Sequence, residues 1–152
     1  MNKYPYKRVM VTGGAGFIGS CFIQQLALRN EGVEIINLDN LSYAVSSRTI
    51  ELLNKIPNYS HVNLDITDRA KLEKVVQEFS PNLLINFAAE SHVDNSIDSA
   101  LPFINTNIIG TFNLLESVRG ISQNNKFLFH HVSTDEVYGD LEEDDMPFTE
   151  SH

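Results

Sequence analysis

The chain has 152 residues, 42% hydrophobic and 20% charged, with a net charge of −9. That composition suits one globular domain, and its acidity argues against nucleic acid or anionic membrane, which bind through clustered Lys and Arg. No apolar run approaches the roughly 20 residues that span a bilayer, and residues 1–11 are too polar for a secretory signal, so a cytoplasmic location is expected. Cys21 is the only cysteine, which leaves no partner for an intrachain disulfide.

Residues 7–12, KRVMVT, predict a short buried strand. Glycines follow at once, and then an apolar helical pattern: Phe17, Ile18, Cys21, Phe22, Gln25 and Leu26. Cys21 is expected to pack within that helix as a small hydrophobe. Residues 33–38 predict a second strand ending at Asp39, residues 40–47 a polar loop, and residues 48–55 a helix closed by Pro57. Residues 59–64 predict a third strand ending at Asp65. Asp68 is the expected N-cap of a helix carrying Leu72, Val75, Val76 and Phe79. After Pro81, residues 83–88 predict a fourth strand. A loop then leads to one long helix over 98–119, with Pro102 in its first turn; its apolar face is expected to cover the sheet, with a subunit interface as the alternative. Residues 126–132 predict a fifth strand. The acidic run Asp140, Glu142, Glu143, Asp144 and Asp145 is expected to be a solvated loop.

Strands that alternate with helices specify an α/β fold with a parallel sheet covered on both faces. The expected architecture is a doubly wound Rossmann sheet in the order 3-2-1-4-5, with its switch point between strands one and four. Ligands of such sheets sit beyond the carboxyl ends of the strands, where every motif below falls.

Thr12-Gly13-Gly14-Ala15-Gly16-Phe17-Ile18-Gly19 leaves the first strand and opens the first helix. It matches both G-x-G-x-x-G and G-x-x-G-x-x-G. Gly13 and Gly16 keep side chains away from a pyrophosphate, and Gly19 lets the helix lie close to the sheet. The helix N-terminus then faces the phosphates with free N–H groups. Asp39 stands 20 residues after Gly19, where a carboxylate accepts hydrogen bonds from both adenosine-ribose hydroxyls and repels a 2′-phosphate. Asn40 beside it is neutral, so NAD is favoured over NADP. The alternative for Asp39 is a turn aspartate. Asp65 and Ile66, after strand three, are placed to meet the adenine amino group, with a turn or N-cap role for Asp65 as the alternative.

Strand four runs into Asn86-Phe87-Ala88-Ala89-Glu90-Ser91-His92-Val93-Asp94, with a plain polar strand-to-helix loop as the alternative to a cofactor-facing one. Small Ala88 and Ala89 let a flat cofactor lie on the backbone, and Glu90, Ser91 and His92 offer polar groups at its nicotinamide end. Strand five ends at Ser133-Thr134-Asp135-Glu136-Val137-Tyr138. Two adjacent carboxylates at a ligand-facing strand end can divide into an acid and a base, the pair that water elimination requires. A hydrogen-bonded loop shaping the cleft is the alternative. His130 and His131 point to opposite faces of a strand and the other histidines are scattered, so no metal site is expected.

Taken together, VTGGAGFIGS, NLDNLSYA, LDITD, NFAAESHVDNSI, NTNIIGT and HVSTDEVYGD resemble the extended short-chain dehydrogenase/reductases, and within them the dTDP-glucose 4,6-dehydratases. The stretches span residues 9–140. Epimerases of the superfamily usually carry a Ser-Ser-Ala type sequence where Thr134-Asp135-Glu136 stands. The resemblance implies NAD contacts at Phe17, Ile18, Asp39, Asn40, Leu41, Ser42, Asp65, Ile66, Phe87, Ala88, Ala89, Glu90, Ser91 and Thr106. It implies that Ser91 and Thr134 touch the sugar of a dTDP-glucose-like substrate. Asp135 would protonate the leaving C6 hydroxyl and Glu136 would take the C5 proton.

The chain departs from the family at Asn95, often Arg, and at Val45-Ser46, often Gly-Asn. The superfamily's Tyr-x-x-x-Lys is also absent, since Tyr4, Tyr43 and Tyr138 are followed four residues on by Arg8, Ser47 and Glu142. Residues 1–152 are therefore expected to be the NAD-binding portion of a longer homodimeric enzyme, cut before that segment and before a sugar-nucleotide domain. The portion alone is expected to be inactive, with strand five left as an apolar open edge. Two alternatives stay open: a related UDP-hexose 4,6-dehydratase or epimerase, and a non-catalytic NAD-binding module.

Overall fold

The computed structural model describes residues 5–43, 45–122 and 126–152. Tyr4 of the Tyr-x-x-x-Lys search and Ala44 of NLDNLSYA lie outside the described residues. Five parallel strands form one sheet in the order β3-β2-β1-β4-β5. They are β1 (Arg8–Thr12), β2 (Glu34–Asp39), β3 (Tyr59–Asn63), β4 (Leu83–Asn86) and β5 (Leu128–His131). The order and parallel direction are those expected from the alternation of elements.

Successive strand residues point to opposite faces, so each central strand feeds two cores. On one face Val9, Val11, Ile35, Leu83 and Ile85 pack with Ile23 and Leu26 of α1 (Phe17–Arg29) and Leu53 of α2 (Ser47–Leu53). On the other, Met10, Ile36, Leu38 and Leu84 pack with Leu72, Val76 and Phe79 of α3 (Arg69–Phe79) and with Leu114 and Val118. Fully burying one such side chain contributes about 1.5–3 kcal/mol. The near-continuous apolar runs of β1, β2 and β4 follow from this two-sided burial.

The helices start where the sequence offers caps. Ser46 accepts from the Thr49 amide ahead of α2, and Asp68 accepts from the Lys71 amide ahead of α3, the role expected of it. α3 stops at Ser80, which adopts the left-handed conformation (φ 47°) just before Pro81.

Three expectations are corrected. Cys21 is exposed: the buried face of α1 is Gly19, Ser20, Ile23 and Leu26, and Cys21 falls outside that stripe. The segment after β4 holds a short helix, α4 (Val93–Asp98), where a loop was expected. The single long helix is a broken one: α5 (Leu101–Phe103), a π-helical stretch (Ile104–Gly110) and α6 (Thr111–Ser122). Its wider turn resets the face that each later residue presents. This composite helix covers the sheet as expected and also carries a second, exposed apolar set. Leu114 and Val118 cover the sheet, while Leu101, Ile104, Ile108, Phe112 and Leu115 stay exposed.

β4 and β5 are also shorter than the apolar runs that suggested them, because pairing ends at Asn86 and His131. No helix among the described residues is long and apolar enough to cross a membrane.

Candidate functional site

The turn after β1 is held by a ladder of amides. The Gly13 amide donates to the Leu38 carbonyl at 2.9 Å. That of Gly14 donates to Asn37 Oδ1 at 2.9 Å, and that of Ala15 to Asp39 Oδ2 at 2.8 Å. All three acceptors lie on β2, so the loop is anchored to the neighbouring strand. Gly13 sits at φ +66°, and a Cβ there would stand 2.6 Å from the Ala88 amide nitrogen. A Cβ on Gly19 would clash with the Gly13 carbonyl oxygen. These positions exclude any side chain, as the close turn and helix approach demand.

α1 begins at Gly16 with no side-chain cap and no acidic residue in its first turn. The positive end of the helix is therefore left without a negative side chain, the condition in which a helix N-terminus receives an anion. Phe17, 93% exposed, and Ile18 project from this end.

Asp39 is 7% exposed. Besides holding Ala15, its Oδ1 accepts the Leu41 amide at 2.9 Å. The turn role foreseen as an alternative is thus present, and each oxygen keeps a lone pair for a further donor. Asp65 likewise closes a turn: Oδ1 accepts the Thr67 amide at 2.9 Å and its hydroxyl at 2.7 Å, and Oδ2 accepts Asn40 Nδ2 at 3.0 Å. Burial pushes the Asp65 carboxyl up, but the Thr67 and Asn40 hydrogen bonds outweigh it and hold the group below its ordinary value. Burial, together with the nearby Asp39 charge, raises the Tyr59 phenol against the lowering effect of its bond to Asn37.

Beyond these strand ends lies a groove of about 590 Å³. It is lined by Gly13, Gly16, Phe17, Ile18 and Gly19 from the turn, by Asp39, Asn40 and Ser42 after β2, and by Asp65 and Ile66 after β3. Phe87, Ala88, Ala89, Glu90, Ser91 and His92 line it after β4, and Thr106 reaches it from the π-helical stretch. Residues far apart in sequence meet here because β2, β1 and β4 are neighbours and their loops leave on one side. Of the positions singled out after β2, Leu41 does not line the groove; its backbone turns there at φ 54°.

The GDP-mannose 4,6 dehydratase family matches residues 10–152. The chain belongs to that family. A dTDP-glucose 4,6-dehydratase of Neisseria meningitidis is 46% identical over 151 residues, covering 95% of this chain and 42% of its own length. The solved dTDP-glucose 4,6-dehydratase of Streptomyces venezuelae, a double mutant with NAD bound, superposes with a TM-score of 0.81 at 38% identity, covering 95% of this chain and 44% of that one. The Bacillus anthracis dTDP-glucose 4,6-dehydratase in complex with NAD gives 0.77 at 39% identity, covering 93% and 42%. The chain thus spans less than half the length of each.

Within this family member, Thr134, Asp135 and Glu136 lie just outside the groove lining, which reaches Val132 and Ser133. All three are exposed, in a single 3-10 turn (Asp135–Tyr138) and its leading residue. The Thr134 hydroxyl donates to the Glu136 carboxylate. Ser91 and Ser133 line the groove from the ends of adjacent strands, so the strand-five motif stands beside the β4 loop.

Sequence reasoning missed four asparagines that hold the site together. Asn37, fully buried on β2, accepts from Gly14 and donates to the Tyr59 hydroxyl at 3.1 Å. Asn86, at the end of β4, accepts from the Thr12 hydroxyl and donates to His131 Nδ1 at 3.1 Å. Asn107 pairs both ways with the Glu90 backbone, accepting its N–H at 2.8 Å and donating to its carbonyl at 2.9 Å. Asn113 donates to the Ile66 and Thr67 carbonyls at 3.1 and 3.2 Å. A signal existed for the first two, since asparagine is disfavoured in strands unless its amide has a task. Asn107 and Asn113 carried none, because their partners are distant in sequence.

Proposed function

We propose that this chain is the NAD-binding portion of a dTDP-glucose 4,6-dehydratase. The observation that carries the reading is the groove itself. A side-chain-free turn, an uncapped helix N-terminus and the buried Asp39 carboxylate line one continuous cleft with the Phe87–Ser91 loop. The relatives' NAD complexes support it. In this reading the α1 end holds the pyrophosphate and Asp39 the adenosine ribose, which disfavours a 2′-phosphate. Asp65 and Ile66 flank the adenine, and Ala88, Ala89, Glu90, Ser91 and Thr106 border the nicotinamide half.

Bound there, NAD supplies the hydride acceptor for C4 of the sugar and the hydride donor for C6. The chain's own residues serve the elimination between those transfers. Glu136 removes the C5 proton, made acidic by the C4 ketone, and Asp135 protonates the departing C6 hydroxyl. Ser91 and Thr134 bind the sugar. A general acid beside a general base distinguishes a dehydratase from the epimerases, which need no leaving-group acid.

The test is an assay of the gene product that contains this chain, with dTDP-glucose and UDP-glucose as substrates. Formation of the 4-keto-6-deoxy product from dTDP-glucose, lost by a hundredfold or more in Asp135→Asn and Glu136→Gln, is expected. Turnover of UDP-glucose alone, or full activity in both variants, overturns the assignment. The 152-residue chain by itself is expected to bind NAD without turnover.

The active protein is further proposed to be a homodimer. Ile97, Leu101, Ile104, Ile108, Phe112 and Leu115 recur at steps of three and four residues and are 46–79% exposed. Ile97 stands on α4 and the other five on the broken helix over 101–122, and so many large exposed apolar side chains on adjoining elements mark an interaction surface. Light scattering of the Phe112→Glu protein is expected to show monomer where the parent shows dimer.

A further inference from the structure

The loops after β2 and β4 meet beside the groove through a side-chain hydrogen bond. Tyr43, in the loop after β2, donates its hydroxyl to Glu90 Oε2 at 3.0 Å across 47 residues of sequence. Its ring also lies 5.6 Å from that of His92. The two loops leave strands on opposite sides of β1, so the contact bridges the carboxyl end of β1.

Glu90 lines the groove, and so do Ser42 and Val45 on either side of Tyr43, whereas Tyr43 itself faces the neighbouring cavity. Ser42 and Val45 line the groove on one bank; Glu90, Ser91 and His92 line it on the other. Glu90 also lines a second cavity of about 310 Å³, together with Tyr43, Asn95, Asp98, Ser99, Pro102 and Phe103. The Tyr43–Glu90 contact therefore lies where the two spaces meet at Glu90.

The two ends of the bridge are not equally firm. Glu90 is fixed by the paired Asn107 hydrogen bonds to its own N–H and carbonyl. Tyr43 is 60% exposed, and besides Glu90 the Asn95 side chain hydrogen-bonds its hydroxyl; among the described residues of its loop, the Val45 N–H donates to the Ser42 carbonyl at 3.2 Å. One end is fixed through its own backbone, and the other is an exposed side chain held by its hydroxyl.

We infer that Tyr43 and Glu90 form a clasp that retains the dinucleotide in its groove. The inference rests on the NAD reading above. A coenzyme stretched from Asp39 to Ser91 lies between the glycine turn and this contact, so sideways exit requires the clasp to open. Retention suits a cycle in which hydride taken from the substrate is returned to it, because coenzyme exchange then serves no step. Tyr43 and Glu90 act on residence, not on the transferred hydride.

The test is the rate of NADH release from the gene product containing this chain, followed by its fluorescence during a chase with excess NAD. Tyr43→Phe removes only the hydroxyl and keeps the ring against His92. Release is expected to quicken by about three- to tenfold, with association changed much less. Glu90→Ala is expected to do the same, and the double variant to release no faster than the quicker single one. Unchanged release in Tyr43→Phe, or effects of the two variants that multiply, overturns the clasp while leaving NAD binding intact. If the unsubstituted protein takes up no NADH, the proposed function fails, and the clasp with it.

Discussion

Asp39 shows how much one side chain carries. Its carboxylate holds the Ala15 amide of the glycine turn and the Leu41 amide of the following loop while almost fully buried. Asp39→Ala leaves two N–H groups without acceptors and is expected to cost about 1–3 kcal/mol of stability by thermal or urea melting. The same change should weaken NAD at least tenfold and narrow its preference over NADP, both measurable by calorimetry. Gly19→Ala is a cleaner probe of the turn. Its Cβ would strike the Gly13 carbonyl and the Gly14 Cα, both backbone atoms, so the helix must move away from the turn. A loss of about 1–3 kcal/mol and of measurable NAD uptake is expected. Both residues were legible in the sequence, because a turn glycine and a strand-end carboxylate are defined by neighbours in the chain. The exposure of Cys21 was not. The helix itself was legible, but of its expected apolar stripe Phe17, Ile18, Cys21 and Gln25 are exposed, because which arc meets the sheet depends on the angle at which the turn launches the helix.

At the scale of elements, the start of α3 and the turn before it are held by ionised carboxylates. The hydrogen bonds to Asp65 and the Lys71 contacts to Asp68 lower both groups below their ordinary values. A carboxyl whose folded pKa is depressed contributes stability above its unfolded value, near 3.9, and loses that contribution as pH falls through the folded one. Melting temperature is therefore expected to drop below about pH 4, and the drop should shrink in Asp65→Asn. An equal acid response in that variant contradicts the role given to this turn. The broken helix over 101–122 marks the limit of periodicity. Its spacing reads as one helix, yet a π-helical stretch brings Thr106 to the groove and Asn107 to Glu90. The gain lies in the tertiary contacts of those two residues, which no local pattern records.

At the scale of the molecule, β5 pairs with β4 on one side and has no strand on the other among the described residues. Leu128 and Val132 stand exposed along it. An open edge of this kind templates pairing with another chain. The 152-residue chain is expected to self-associate as its concentration rises, seen by light scattering, and Leu128→Lys with Val132→Lys should suppress this. Concentration-independent monomer in the unsubstituted chain contradicts it. The sheet order, the covered faces and the cleft at the carboxyl ends all followed from sequence, because alternating short apolar strands and amphipathic helices admit few other arrangements. Which side chains meet across that cleft was decided by tertiary structure alone. Asn37 under Gly14, Asn107 against Glu90 and Tyr43 over to Glu90 are contacts between loops of different strands. Local sequence sets each loop's conformation, but only the packed sheet sets the distance between two of them.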